Sequence, residues 1–340
     1  QGFEEFTRPR KVAWIIKRLL PRASLGVLFG ATGAGKSFLV LDLVAAVARG
    51  IDWCGHRIAA RHRVVYVTAE GQEDFRRRAS AYALAAGTVG QPNGGMGLYF
   101  VDEAPNLLEV GDARELARQI AACPGGKPAL VVLDTLAQVM VGGNENSSED
   151  VGKVLKHCRL IERATGAMVL LVAHTGKDET RGLRGWSGVR GAADFEMEVV
   201  REGHDRVATL TKLKGGEEGL AFPFRLKPVV LGQDEDGDDI TSCVVEHVQE
   251  MPERHLDAKS LAQQAVLQSL EQIHAMTDEW PTQNELLQVA ASKLPEEEDG
   301  RDRRRSSCSR ALSTYISRGE IVRDAQGRLH VARRGEQPLP

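Results

Sequence analysis

Residues 30–37 read Gly-Ala-Thr-Gly-Ala-Gly-Lys-Ser, a match to the pattern G-x-x-x-x-G-K-[ST]. The flanks constrain the fold as much as the motif does. An apolar, strand-like run, Leu25–Phe29, leads into it, and Lys36–Arg49 carries apolar residues at helical spacing up to a stop at Gly50. A strand that enters a glycine-rich turn and leaves as a helix opens a parallel α/β sheet. The residue types suit an anion. Glycines let backbone N–H groups turn toward phosphate, and the helix N-terminus adds its positive dipole end. Gly30, Ala31, Thr32, Gly33, Ala34, Gly35, Lys36 and Ser37 are therefore the expected phosphate cradle, with ATP as the nucleotide. Lys36 is expected to reach the β- and γ-phosphates and Ser37 to ligate Mg²⁺.

The alternation continues along the chain. Strand-like Arg63–Ala69, Gly97–Val101, Ala129–Leu133 and Ala167–Ala173 are separated by helix-like Gln72–Ala86, Ala113–Cys123 and Asp150–Ala164. Short buried strands divided by helices predict a parallel sheet covered on both faces. Three of the strands end on a residue that can do chemistry. Asp134 follows four apolar residues, the pattern of a carboxylate that holds Mg²⁺ through water. Glu70 is placed where a carboxylate at the C-terminal edge of the sheet faces the ligand crevice, and is expected to polarise the attacking water. Glu73 and Asp74 fit a solvent-facing helix start better. His174 is expected to sense the γ-phosphate.

After Asp194 the pattern changes. Phe195–Arg201, Arg206–Lys212, Phe222–Val230 and Ile240–His247, punctuated by Gly203, Gly215-Gly216 and Asp236-Gly237, predict antiparallel strands that extend the sheet. Lys212 and Lys214 alternate along one of them and point the same way; they can form a solvated face or reach a neighbouring subunit's γ-phosphate. Beyond a polar linker come an amphipathic helix, Leu261–Met276, a capping box beginning at Thr282, a helix over Ser306–Arg318, and a strand–turn–strand over Glu320–Val331. Helices followed by a small hairpin predict a winged helix-turn-helix. The expected boundaries are an N-terminal arm at 1–24, an ATPase domain at 25–248, a linker at 249–257, the winged-helix-like domain at 258–334 and a tail at 335–340.

Composition sets limits. In 340 residues, 42% are hydrophobic, enough for a large core and a small one, so disorder is excluded as the general state. The net charge of −3 says little, but its distribution says more. Residues 231–300 hold 3 Lys and Arg against 17 Asp and Glu, whereas residues 301–340 hold 10 against 4, so the basic end is expected to meet an anionic partner. Arg303, Arg304 and Arg310 are the expected DNA contacts of the third helix, with Arg323 and Arg328 on phosphate from the wing. The five cysteines show no C-x-x-C pair, which predicts reduced thiols in a cytoplasm and no disulfide or zinc site. No apolar run approaches the ~18 residues of a membrane span, and no secretory signal is visible. A first residue of Gln1 rather than Met is expected of a processed or cut-out fragment.

The constellation resembles the RecA-like core of ring-forming replicative helicases, above all the plasmid RepA-type helicases and their phage and prophage relatives. The resemblance covers roughly residues 10–248. It rests on GATGAGKS (30–37), the strand ending in Glu70, VVLDT (131–135), LLVAHTGK (170–177), RGWSGVRGAAD (184–194) and TKLKGG (211–216). It implies ATP hydrolysis at the interfaces of a homo-oligomer, a hexameric ring, with translocation on single-stranded DNA. Glu70 takes the role of the water-activating acid, and the Lys212/Lys214 pair completes the neighbour's site. The plasmid helicases use an Arg nearer Asp194; none aligns there, so Arg184 and Arg190 compete for that role. In this fold the loops near 138–148 and 176–186 line the central channel. The second carries Lys177, Arg181, Arg184 and Trp186, cations with an aromatic that suit single-stranded DNA. Double-stranded DNA is the expected partner of the C-terminal domain. Two other functions fit the same residues: an ATP-switched loader or recombinase-like protein without unwinding, and a winged-helix regulator with an ATPase sensor.

Overall fold

The buried runs pair into one sheet. In the computed structural model, which describes residues 3, 12–69, 71–91, 96–174, 191–202, 204–249, 261–294 and 304–332, the chain divides into two units, Gln1–Glu250 and Met251–Pro340. In the first, strands β3 (Leu25–Gly30), β4 (Val64–Thr68), β5 (Leu98–Val101), β6 (Leu130–Asp134), β7 (Met168–His174) and β8 (Phe195–Glu202) lie in the order β8-β3-β7-β6-β4-β5, every pair parallel. Strands β9 (Asp205–Leu213), β10 (Ala221–Gln233) and β11 (Asp239–His247) extend the β8 edge in antiparallel fashion, giving nine strands. The expected α/β core with a mainly parallel central sheet is the fold observed.

Helices α1 (Lys36–Arg49), α2 (Gln72–Ala85), α3 (Val110–Ala122) and α4 (Ser148–Thr165) cover the sheet. Strand side chains alternate between faces, and two cores result. Leu28, Tyr66, Val132 and Leu170 share one with α1 and Phe75 of α2. Val27, Val65, Val131 and Leu171 share the other with α3 and α4. Helix α1 stops at the expected Gly50, and α4 runs slightly past the expected Asp150–Ala164 at both ends. Gly50 closes α1 at φ 67, Gly166 closes α4 at φ 72, and the Ser147 side chain caps α4 by accepting from the Asp150 amide.

Helix α1 is apolar nearly all round. Leu39, Leu41, Leu43, Val44 and Val47 are all buried. One sheet face cannot cover such a helix. The second cover is the antiparallel ribbon: β11 packs against both α1 and α2, and β10 against α2. Polar ties fix it. His247 Nε2 of β11 lies 2.8 Å from Asp42 Oδ2 of α1, and Trp53 Nε1 donates to that oxygen at 2.8 Å. Cys54 Sγ lies 3.3 Å from His247 Nδ1; burial, and then the Asp42 charge, push the thiol up to about 12, so it acts as an S–H donor. All five cysteines are free.

The segment read as an N-terminal arm contains a hairpin that joins this core. Strands β1 (Trp14–Ile16) and β2 (Leu20–Pro21) pair antiparallel, and Ile15, Ile16, Leu19 and Leu20 are buried beside α1. The apolar residues flank Lys17-Arg18, with Arg18 at φ 61, so the short polar break is a turn rather than the sign of a free arm.

The second unit has helices α5 (Leu261–Thr277), α6 (Gln283–Ser292) and α7 (Arg304–Ser317), then strands β12 (Ile321–Arg323) and β13 (Leu329–Val331) paired antiparallel. Val266, Leu270, Leu286, Leu312, Tyr315, Ile321 and Leu329 form its core. Thr282 and Glu285 make a capping box at the start of α6. No helix among the described residues is long and apolar enough to cross a membrane.

Candidate functional site: a cleft at the ends of the parallel strands

Parallel register brings the sequence-predicted residues together. Gly30 of β3 lies opposite His174 of β7, and Thr68 of β4 opposite Asp134 of β6. These strand ends open on one cleft of about 300 Å³. Its walls include Thr32, Gly33 and Gly35 from the loop before α1, Lys36 and Ser37 from the first turn of α1, and Asp134, Thr135 and His174 from the sheet edge.

The loop conformation requires its glycines. Gly33 and Gly35 have φ 77 and φ 92, where a β-carbon is strained. Gly30 faces a different constraint: a Cβ there would run into the Val199 carbonyl of β8. The three glycines therefore keep the loop tight against the sheet while its amides begin α1.

Lys36 is 5% exposed, and its Nζ donates to the Gly30 carbonyl at 2.9 Å and the Ala31 carbonyl at 2.8 Å. It also lies 3.1 Å from His174 Nδ1, and Thr32 Oγ1 lies 3.2 Å from the same nitrogen. An ammonium has only N–H to give, so Nδ1 is the acceptor and His174 touches the phosphate loop through an unprotonated nitrogen. This couples the end of β7 directly to the residue expected to hold phosphate.

Asp134 is 6% exposed. Its Oδ2 accepts a 2.6 Å hydrogen bond from the Tyr66 hydroxyl, while its Oδ1 is buried without a hydrogen-bond partner. Burial pushes the carboxyl above its usual range; the Tyr66 and Ser37 hydroxyls and then the Arg78 and Lys36 charges pull it back in part. A buried carboxylate oxygen with nothing to bind costs stability unless a cation completes it. An orphaned anionic oxygen, the neighbouring Ser37 hydroxyl and a glycine-lined cradle fit Mg²⁺ with a nucleotide phosphate, oxygen ligands being what that ion takes.

Several residues of the cleft, and Tyr66 bonded to Asp134, carry no motif in the sequence. Tyr66 reads there as an ordinary strand residue, yet its phenol is fully buried and held protonated by burial and by the Asp134 charge. A tyrosine inside a buried strand needs a partner for its hydroxyl, and that is the signal. Arg78 lines the cleft with its guanidinium 4.8 Å over the Phe38 ring. Gly71, Asp74, Phe75 and Arg78 all line it, and their spacing of three, four and seven is one helical stripe. Asp74, expected as a solvent-facing helix-start acid, is exposed in the first turn and also lines the cleft, because it shares a side with Phe75 and Arg78. Leu226 of β10 also lines it; no local pattern could place a strand more than fifty residues beyond His174 at this cleft.

Glu70 falls outside the described residues, as do Lys177, Arg181, Arg184, Trp186, Arg190 and Arg303. Lys212 and Lys214 do not line the cleft of their own chain. Lys214 is exposed and pairs with Asp194 at 3.7 Å, and Lys212 lies opposite Glu196 across β8 and β9. Asp194 also binds Arg159 at 2.8 Å and the Leu25 amide at 3.1 Å, so it anchors the start of β3. Residues Gln138–Met140 form a tight turn with Val139 and Met140 buried, so the beginning of the first candidate channel loop belongs to the core. In the second unit, Arg310 is exposed on α7, while Arg304 opens that helix. Arg323 bonds Gln283, and Arg328 pairs with Glu279.

A family model described as an AAA domain matches residues 2–180. A comparison with curated proteins finds none that matches. Similar solved structures include a DnaB-like replicative helicase, described with its interactions with primase, at 11% identity over 66% of this chain and 64% of that one, with a TM-score of 0.48. A KaiC-like protein from the hyperthermophilic archaeon Pyrococcus horikoshii is 16% identical over 64% and 96% of the two chains, TM-score 0.44. RadB recombinase is 16% identical over 61% and 88%, TM-score 0.43. At these values the likenesses transfer no residue's role.

Proposed function

Because the chain belongs to the AAA domain family of P-loop ATPases, we propose that it is a DNA-acting motor that hydrolyses ATP between subunits, most specifically a hexameric replicative helicase of the RepA type. The observation that carries the site is the buried, partnerless Oδ1 of Asp134, a residue that lines the same cleft as Lys36 and Ser37.

In this reading Lys36 exchanges the Gly30 and Ala31 carbonyls for phosphate oxygens. Ser37 and Asp134 would hold Mg²⁺, which when bound neutralises charge on the β- and γ-oxygens. Tyr66 fixes the Asp134 carboxylate through Oδ2, leaving Oδ1 available to the ion. Glu70 polarises the attacking water. His174, bonded to Lys36 and Thr32, registers whether the γ-phosphate is present and passes that state along β7 to the following loop. Lys212 or Lys214 reaches the neighbour's phosphate, since both lie outside their own cleft. Lys177, Arg181 and Arg184 contact single-stranded DNA. The second unit acts as a winged helix, presenting Arg303, Arg304 and Arg310 of the α7 region to DNA.

The test is ATP turnover with and without single-stranded DNA, together with unwinding of a forked duplex. The expected result is turnover stimulated by single-stranded DNA and strand separation that requires ATP. Glu70→Gln should keep ATP binding and lose turnover by about 10²–10⁴-fold. ATP turnover by a chain that stays monomeric and never separates the fork would remove the motor and leave a switch or a regulator.

A further inference from the structure

The phosphate loop has a second cation against its outer side, supplied by the antiparallel ribbon. Arg206 of β9 is 8% exposed. Its Cδ and Nε stand 2.9 and 3.0 Å from where a Gly35 Cβ would lie, with the Phe224 ring of β10 at 3.5 Å. It is not among the residues lining the cleft, so it meets the loop from behind. Nη1 donates to the His204 carbonyl at 2.9 Å, whereas Nε is buried and has no acceptor.

Its surroundings repay this burial only in part. Its cross-strand neighbour is another arginine, Arg201, and like charges opposite each other are unfavourable. Burial, and then the Arg201 charge, lower its pKa below the ordinary arginine value. Cys243 and then Asp205 offset this in part, but the Asp205 carboxylate is bound by Arg225. Among the described residues no carboxylate forms an ion pair with Arg206. A neutral side chain of the same length would pack against Gly35 and Phe224 at lower cost. The arrangement becomes favourable when an anion occupies the other side of the loop.

We propose that Arg206 is a positioning residue of the triphosphate site, holding Gly35 from behind and adding a fixed positive charge beneath the amides that receive phosphate. This rests on the reading of Gly30–Ser37 as an ATP site. Because the interaction is between charges, it grows with the number of phosphates and vanishes for a neutral ligand. Because the charge is only partly compensated without ligand, removing it stabilises the free protein while weakening ATP binding. A residue with a packing role alone would lose both together.

The experiment is calorimetric titration of the full chain with ATP, ADP and adenosine, alongside thermal melting without ligand. For Arg206→Met, ATP should bind about tenfold more weakly, a change of roughly 1.4 kcal/mol. ADP should lose less, adenosine nothing, and the ligand-free melting temperature should rise. Arg206→Lys should stay within about threefold of the parent for ATP, because it keeps the charge. Unchanged ATP affinity in Arg206→Met, or a loss matched by a lower melting temperature, overturns the proposal. Should Arg206→Met not fold, Arg206→Gln, which can still donate to the His204 carbonyl, is read by the same criteria. Failure of the parent chain to bind either ATP or ADP would instead remove the ATP-site reading on which the proposal stands.

Discussion

The parallel half of the sheet and the antiparallel ribbon serve the same helix by different means. The parallel half delivers chemistry at strand ends. The register of β3, β4, β6 and β7 pairs Gly30 with His174 and Thr68 with Asp134, and sets Asp134 beside Val172, so all four stand at strand ends along one edge of the sheet. The ribbon delivers pressure from the side. Arg206 and Phe224 bear on Gly35, Leu226 closes one wall of the cleft, and His247 ties to Asp42 on α1. The first set touches the substrate's expected position; the second set fixes the loop and helix that hold it. Strand-end residues should therefore govern turnover, and ribbon residues affinity and stability.

Substitutions can break that division. Lys36→Ala carries the largest expected effect: ATP hydrolysis should fall by about 10²–10³-fold or more, the cost of losing a preorganised charge at a developing anion. Steady-state turnover checks it, and normal activity would void the cleft as the site. Asp134→Asn should come next. Its requirement for Mg²⁺ should rise by about 10–100-fold, as for residues that orient a metal's ligands. The ligand-free protein should gain about 1 kcal/mol in urea unfolding, because a buried, half-partnered carboxylate has been neutralised. Loss of both stability and Mg²⁺ response would mean that Asp134 is structural. Tyr66→Phe leaves Asp134 Oδ2 without its donor, and should cost about 1–3 kcal/mol of stability together with a lower kcat. The smallest effect belongs to the ribbon. His247→Ala should lower stability by about 1 kcal/mol through loss of the Asp42 and Cys54 contacts and leave kcat unchanged. A fall in kcat there as deep as that of Asp134→Asn would erase the distinction between the two regions.

The same division explains what the sequence could reveal. Strand ends are local: a buried run followed by Asp134 or His174 announces both the strand and the crevice it faces. Helix α1 begins and ends where glycine and periodicity place it. The curl of the ribbon is tertiary, and neither Arg206 nor Leu226 belongs to any motif. One clue to it is present. The stretch Phe38–Ala48 is apolar on every side but Asp42, and such a helix must be covered twice. The β1–β2 hairpin is a similar case: two apolar pairs around Lys17-Arg18 need a partner core before they can be read as strands. Tyr66 and the stripe Gly71, Asp74, Phe75 and Arg78 are legible by face but not by motif.

The central claim is that the cleft is one half of a site completed by a second copy of the chain. Native mass measurement with Mg²⁺, a slowly hydrolysed ATP analogue and single-stranded DNA tests it most directly. A six-membered ring with nucleotide bound is the expected result. Nucleotide-saturated monomers at all concentrations, turning over ATP at the same rate per chain throughout, would contradict it.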